Sequence, residues 1–237
     1  GIPAVGYISD DNYSLRKISF NPLFWIDRLI MRRRLRKAFA ACDIVYTISE
    51  NQKEYLRQRF GDKFKVLTKY AEFDKSNKPA GFRPHAPLRM LYTGNLGSGR
   101  YSSLCLIAKA LRQVNAHEQR IVFDIYTSTV LSEKLRSRLN TAETTLHDAV
   151  SFEKVLELQR RADILVHVEG LSLKERLDVA HSFSTKIVDY LQQCKPIFVV
   201  GKDDCASIRY FIDNDSGIVA QNYDEIVRKL TAIAASP

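Results

Sequence analysis

Apolar residues in this chain gather into short runs, and between the runs they recur at three- and four-residue spacing. The runs Pro3–Ile8, Asp43–Ile48, Phe64–Leu67, Leu88–Thr93, Ile121–Tyr126, Ile164–Val168 and Pro196–Val200 read as buried strands. The stretches between them read as helices. Pro22–Ala40 is one, with Asn21 as its cap and Pro22 in the first helical position. Ser49 opens another, and Gln52 three residues on completes a capping-box pattern; Phe60-Gly61 ends it. Leu104, Ile107, Ala108, Leu111 and Val114 follow helical spacing. Ser132–Leu139, Phe152–Arg161, Ser184–Gln192 and Ser207–Asp213 are also predicted helical. A last helix is capped by Asn222 and Glu225, with Ile226, Leu230 and Ile233 facing inward.

Strands that alternate with helices predict an α/β fold, a parallel sheet covered on both faces. Residues Glu72–Pro87 interrupt the alternation with Pro79, Gly81, Pro84 and Pro87 among polar residues. The boundary placed there divides the chain into residues 1–80 and 81–237. In sheets of this kind ligands bind at the carboxyl ends of the strands, so the loops that follow strands carry the candidate chemistry.

Composition narrows the class. The chain has 237 residues, 45% hydrophobic and 27% charged, the balance of a soluble globular protein. No apolar run approaches the roughly 20 residues that span a bilayer. The chain begins Gly-Ile-Pro-Ala-Val without Met or a secretory signal, and reads as a piece that starts inside a domain. Cys42, Cys105, Cys194 and Cys205 are widely spaced and form no CxxC pair, so they read as reduced thiols in a cytoplasmic protein. The net charge of +9 is uneven. Residues 1–80 hold 16 Lys/Arg against 9 Asp/Glu, whereas residues 81–237 hold 20 against 18. An anionic partner would therefore meet the first segment.

Two loops attract attention. Tyr92-Thr93-Gly94-Asn95-Leu96-Gly97-Ser98-Gly99-Arg100-Tyr101 follows a strand and precedes a helix. Its glycines let backbone N–H groups approach an anion, and Arg100 can bond a phosphate. The spacing G-x-x-G-x-G is not a dinucleotide fingerprint, and read alone it is also a glycine-rich turn with a solvated arginine. The second loop runs His181-Ser182-Phe183-Ser184-Thr185-Lys186. Ser184 and Thr185 can cap the following helix, and its positive end suits a diphosphate. Lys186 stands in the first turn, where a cation is disfavoured unless an anion is bound beside it. Asp189, one turn later, can accept two ribose hydroxyls. The alternative is an amphipathic core helix with a capped start.

Together these segments resemble glycosyltransferase family 4 and its capsule and exopolysaccharide relatives, which adopt the GT-B fold. Gly94, Asn95, Leu96, Arg100 and Tyr101 stand in the register of the family's G-R-L-x-x-x-K-G loop, with Arg100 in the lysine position and Asn95 in the arginine position. His181 and Asp189 fall in the register of its E-x7-E motif, with His181 replacing the first glutamate. The stretch from His147 to Phe152 resembles the base-binding loop. The resemblance implies a Rossmann-like donor domain over residues 81–237 and, over residues 1–80, the closing part of an acceptor domain whose first part is lacking. It implies retaining transfer of a hexose-like sugar from a nucleotide-diphosphate donor, UDP or GDP, to a glycan or lipid-linked acceptor, with this piece inactive alone. The implied diphosphate ligands are Gly94, Asn95, Gly97, Gly99, Arg100, Ser184, Thr185 and Lys186. His181, Ser182 and Phe183 would face the sugar, Asp189 the ribose, and Val150 and Ser151 the base. His181 is also a catalytic candidate, as are Asp10 and Asp11 after the first strand, which equally suit a loop turn. No metal or cofactor is expected, because cationic side chains can stabilise the leaving diphosphate. A non-catalytic nucleotide or sugar binder and a nucleotide-sugar epimerase are the alternatives on the same fold.

The first predicted helix carries Arg28, Arg32, Arg33, Arg34, Arg36 and Lys37 among Phe24, Trp25, Leu29, Met31, Leu35 and Phe39. A basic amphipathic helix with aromatic residues at one end fits the anionic inner face of a membrane, where a peripheral enzyme would meet a lipid-linked acceptor. It is equally a solvated basic face over a buried stripe. Nucleic acid is not an expected partner, because no motif for it is present.

Overall fold

The structure, a computed structural model, describes residues 3–9, 19–70 and 85–235. Among these residues two parallel sheets form. The smaller has the order β1-β2-β3, built from β1 (Val5–Ile8), β2 (Ile44–Thr47) and β3 (Phe64–Val66). Helices α1 (Pro22–Ala41) and α2 (Glu50–Phe60) belong to this part of the chain. Asn21 caps α1, its Oδ1 accepting from Leu23 N at 3.0 Å. Ser49 Oγ accepts from Gln52 N at 3.2 Å at the start of α2. The Gln52 side chain reaches one residue further back than a capping box requires, to Ile48 N at 3.1 Å. Phe39, Val45, Tyr55, Leu56 and Phe64 form a small core, with the Phe39 ring edge-on to both Phe60 and Phe64.

The larger sheet holds β4 (Leu88–Thr93), β5 (Ile121–Thr127), β6 (Thr144–Asp148), β7 (Ile164–Val168), β8 (Ile197–Val200) and β9 (Ile218–Ala220). Its order is β6-β5-β4-β7-β8-β9, and each pairing is parallel. Between the strands run α3 (Arg100–Val114), α4 (Glu133–Leu139), α5 (Phe152–Arg161), α6 (Leu173–Val179), α7 (Lys186–Gln192) and α8 (Ala206–Asp213), and α9 (Tyr223–Ala235) follows β9. Strand side chains alternate between two cores, as a pleat covered on both faces requires. Met90, Ile164, Val166, Phe198 and Val200 join α3 and α9 residues such as Leu104, Ile107, Leu111, Ile226 and Leu230 on one face. Leu91, Leu165, Ile197 and Val199 pack with Val179, Ile187, Tyr190, Ile208 and Phe211 on the other.

The α/β class predicted from periodicity is the one found. Three elements escaped it. Strand β6 (TTLHD) and the three-residue β9 lie at the edges of the sheet, where few apolar side chains are needed. Helix α6 (LKERLDV) is short and mostly polar, although Ser172 and Glu175 form the full capping box that marks its start. The helix read from Ser184 begins two residues later, at Lys186. The boundary between residues 80 and 81 falls outside the described residues, as do Asp10 and Asp11. Among the described residues no helix is long and apolar enough to cross a membrane.

Candidate functional site

Chain order and sheet order diverge at β4. From β4 the chain adds β5 and β6 on one side, then returns to place β7 on the other side of β4. That reversal leaves a crevice at the carboxyl ends of β4 and β7, where α/β sheets bind ligands. A cavity of about 430 Å³ opens there, lined by Ser9, Ile48, Gly94, Asn95, Arg100, Glu169, Ser182, Phe183, Ser184, Thr185 and Lys186. Its volume is that of a small-molecule site.

The loop after β4 is held in place by its own residues. Tyr92 Oη donates to the Asn95 carbonyl at 2.6 Å, and Leu96 N donates to Thr129 Oγ1 at 3.0 Å. Gly94 has φ 150°, and a Cβ there would stand 2.1 Å from Lys186 Nζ. Gly99 adopts the left-handed conformation immediately before α3. Arg100, the first residue of α3, reaches back over the loop and donates to Asn95 Oδ1 at 2.9 Å.

The loop after β7 supplies a residue that sequence reasoning missed. Glu169, buried at 2% exposure, holds Arg100, with Nη2 3.0 Å from Oε2 and Nε donating to the same oxygen at 3.2 Å. The Glu169 carbonyl accepts from Ser103 Oγ of α3 at 2.6 Å, so both ends of the residue tie β7 to α3. Burial pushes the Glu169 carboxyl up, and the Arg100 and Lys186 charges oppose that shift. The strand-end rule could have found it, since Glu169 is the first residue after a strand buried along its whole length.

Lys186, the first residue of α7, also lines the cavity. Its Nζ donates to the Thr93 carbonyl at 2.9 Å and lies 4.8 Å above the Tyr92 ring. Burial, reinforced by Arg100, lowers its pKa to about 8. Ser184 and Thr185 line the cavity without capping α7 through their side chains, contrary to the sequence reading. Ser184 N is committed to Ser207 Oγ at 3.1 Å, which turns the segment so that α7 starts only at Lys186.

Of the predicted residues, Gly94, Asn95, Arg100, Ser182, Phe183, Ser184, Thr185 and Lys186 therefore come together on one cavity. Others do not reach it. Gly97 and Gly99 shape the turn behind it, Gly97 through its carbonyl, which accepts from Arg100 N at 3.1 Å. His181 is buried with its ring 4.2 Å from that of Tyr55 on α2, and its carbonyl accepts from Ser49 Oγ. Asp189 is ion-paired with Lys69. Val150 and Ser151 follow β6 at the sheet edge, where Ser151 Oγ caps α5 by accepting from Lys154 N at 3.3 Å.

No protein-family model and no curated protein matches the chain. Solved structures do. A glycosyltransferase from Rickettsia africae ESF-5 superposes with a TM-score of 0.66 at 11% identity, covering 98% of this chain and 60% of that one. A point mutant of S. aureus TarM, solved with fondaparinux, alpha-GlcNAc-glycerol and UDP, gives 0.65 at 12% identity over 99% of this chain and 44% of its own. WaaG, a glycosyltransferase involved in lipopolysaccharide biosynthesis, gives 0.59 at 14% identity over 99% and 67%. The chain thus spans about half to two thirds of the length of the structures it resembles. Identities this low speak for architecture alone, and what they establish is that this α/β chain has the GT-B fold of those glycosyltransferases.

Proposed function

We propose that the cavity binds the diphosphate of a nucleotide sugar, and that the chain is part of a retaining glycosyltransferase. The observation that carries this reading is the pair of cations at the switch point. Arg100 at the start of α3 and Lys186 at the start of α7 meet on one cavity at the ends of β4 and β7. Two positive side chains with glycine-backed amides between them can hold two phosphate groups and stabilise the charge that develops on the leaving diphosphate. In this reading Ser182 and Phe183 face the sugar. The UDP carried by TarM supports a uridine donor. Glycan or lipid-linked acceptors, a hexose as the transferred group, and a role in polysaccharide synthesis belong to the same reading. So do the division of the chain at residue 80 and the pairing of this piece with further acceptor-domain sequence.

Calorimetric titration with UDP and with GDP tests it. Binding of one of them, weakened by salt, is expected; no heat with either at millimolar concentration would remove the assignment.

Helix α1 adds a membrane-facing element to the reading. It exposes Leu23, Ile26, Leu29 and Ile30, and its Arg32, Arg33 and Arg36 line a basic groove with Leu29. Apolar and basic groups on one exposed helix suit an anionic bilayer surface at the inner face of a membrane. Co-sedimentation with phosphatidylserine vesicles should fall when Arg32, Arg33 and Arg34 are changed to Gln. Binding that survives this change would discard the surface.

A further inference from the structure

Resting on the reading that a diphosphate enters this cavity, we propose that its binding is coupled to uptake of one proton by the buried pair Glu169 and His167. Among the described residues the cavity has two cationic side chains, and both are already answering a carboxylate. Arg100 is bound to Glu169 through two of its nitrogens, and Lys186 lies within electrostatic reach of the same group. A diphosphate brings two or more negative charges to those same cations. As they turn to the ligand, Glu169 keeps its burial, at 3% side-chain exposure, and loses its compensation. A buried carboxylate without a cation is costly and neutralises by taking a proton.

Among the described residues Arg100 and Lys186 are the cations whose charges act on Glu169, and Arg176 on α6 is held by Asp204. The groups that face Glu169 from the surrounding elements are Tyr92 on β4, Cys205 before α8 and His167 on β7, while Glu175 on α6 lies beside the neighbouring Gly170. Burial pushes the Tyr92 hydroxyl and the Cys205 thiol up, so both stay neutral. His167 differs. Its Nε2 lies 3.6 Å from Glu169 Oε1, is buried, and has no hydrogen-bond partner among the described residues. Burial first, then the Lys186 and Arg100 charges, hold this imidazole neutral well below its usual range. When the ligand engages those charges, that opposition falls. The proton, drawn from solvent, then completes a short-range pair between imidazole and carboxylate. It belongs to the two groups jointly.

The sign follows from linkage. The complex binds more protons than the free protein, so affinity falls as pH rises, by about tenfold per pH unit where one full proton is linked. Calorimetry with UDP at pH 6.5, in buffers of different ionisation enthalpy, counts the protons. Lys186, at about 8, is already charged there and contributes little. Wild-type chain should take up about one proton more than Glu169→Gln, which keeps a hydrogen-bonding shape without the charge. Equal proton counts in the two proteins, with UDP bound by both, would overturn the coupling while leaving the nucleotide assignment standing. Failure of the wild-type chain to bind UDP would sink both. If the variant does not fold, NMR of wild-type chain labelled at glutamate Cδ and imidazole nitrogen decides the matter. On adding UDP, either Glu169 or His167 must show protonation, and unchanged signals from both would overturn the proposal.

Discussion

Replacing Arg100 by Ala is expected to weaken UDP binding by about 1.5–3 kcal/mol, the range for a hydrogen bond to a charged group. The same change should destabilise the fold by roughly 3 kcal/mol, the low end for removing one partner of a buried ion pair, because the Arg100 side chain keeps some exposure. The two effects have separate origins. The first is loss of a phosphate ligand, and the second is abandonment of Glu169, whose carboxylate has no other bonded cation among the described residues. The stability defect carries a pH dependence of known sign. Burial already raises the Glu169 pKa above the ordinary 4.5, and loss of Arg100 raises it further. Between the unfolded and folded values the native state binds the extra proton, so stability falls as pH rises through that window and levels off above it. Denaturant unfolding of Arg100→Ala across that range should show a deficit that shrinks toward acid pH. A deficit independent of pH would mean that Glu169 is not the group left behind. Arg100→Lys should restore the charge but not the two-nitrogen grip, and so recover only part of either loss.

Replacing Gly94 by Ala is expected to be comparably damaging, through geometry alone. At φ 150° an L side chain is strained whatever the space, at a cost of about 1–3 kcal/mol. The added methyl would also stand 2.1 Å from Lys186 Nζ and 3.3 Å from Tyr92 Oη. The lysine tip can move, so the clash displaces it from the Thr93 carbonyl rather than breaking the core. Diphosphate binding should then fall by about 1.5–3 kcal/mol as the second cation leaves its place. A double-mutant cycle separates the parts. In a Lys186→Ala background the effect of Gly94→Ala on UDP affinity should vanish while the stability loss persists. An undiminished affinity loss in that background would show that the methyl obstructs the ligand directly.

Much of this architecture was legible in advance because periodicity reports burial. Leu88–Thr93 and Ile164–Val168 are nearly continuous apolar runs, and they turned out to be adjacent strands buried on both faces. Lys186 stood out as a cation in a helical first turn, and the structure supplies its local reason in the Thr93 carbonyl and the Tyr92 ring. What could not be read was decided by contacts distant in sequence. The position of Glu169 after a strand marks it as a candidate, but its pairing with Arg100, 69 positions earlier, is made only by the fold. The direction of His181 is set by Tyr55, and the partner of Asp189 is Lys69, 120 residues away. Both partners come from the part of the chain that carries the smaller sheet, so spacing within the 181–189 segment could not foretell where these side chains would point.

A structure of the chain with UDP bound decides whether two phosphate groups sit in this cavity. The diphosphate should lie between the Gly94–Arg100 loop and the Ser182–Lys186 segment, within hydrogen-bond distance of the Arg100 guanidinium and the Lys186 ammonium. UDP seated elsewhere on the sheet, with this cavity left unchanged, would rule the site out.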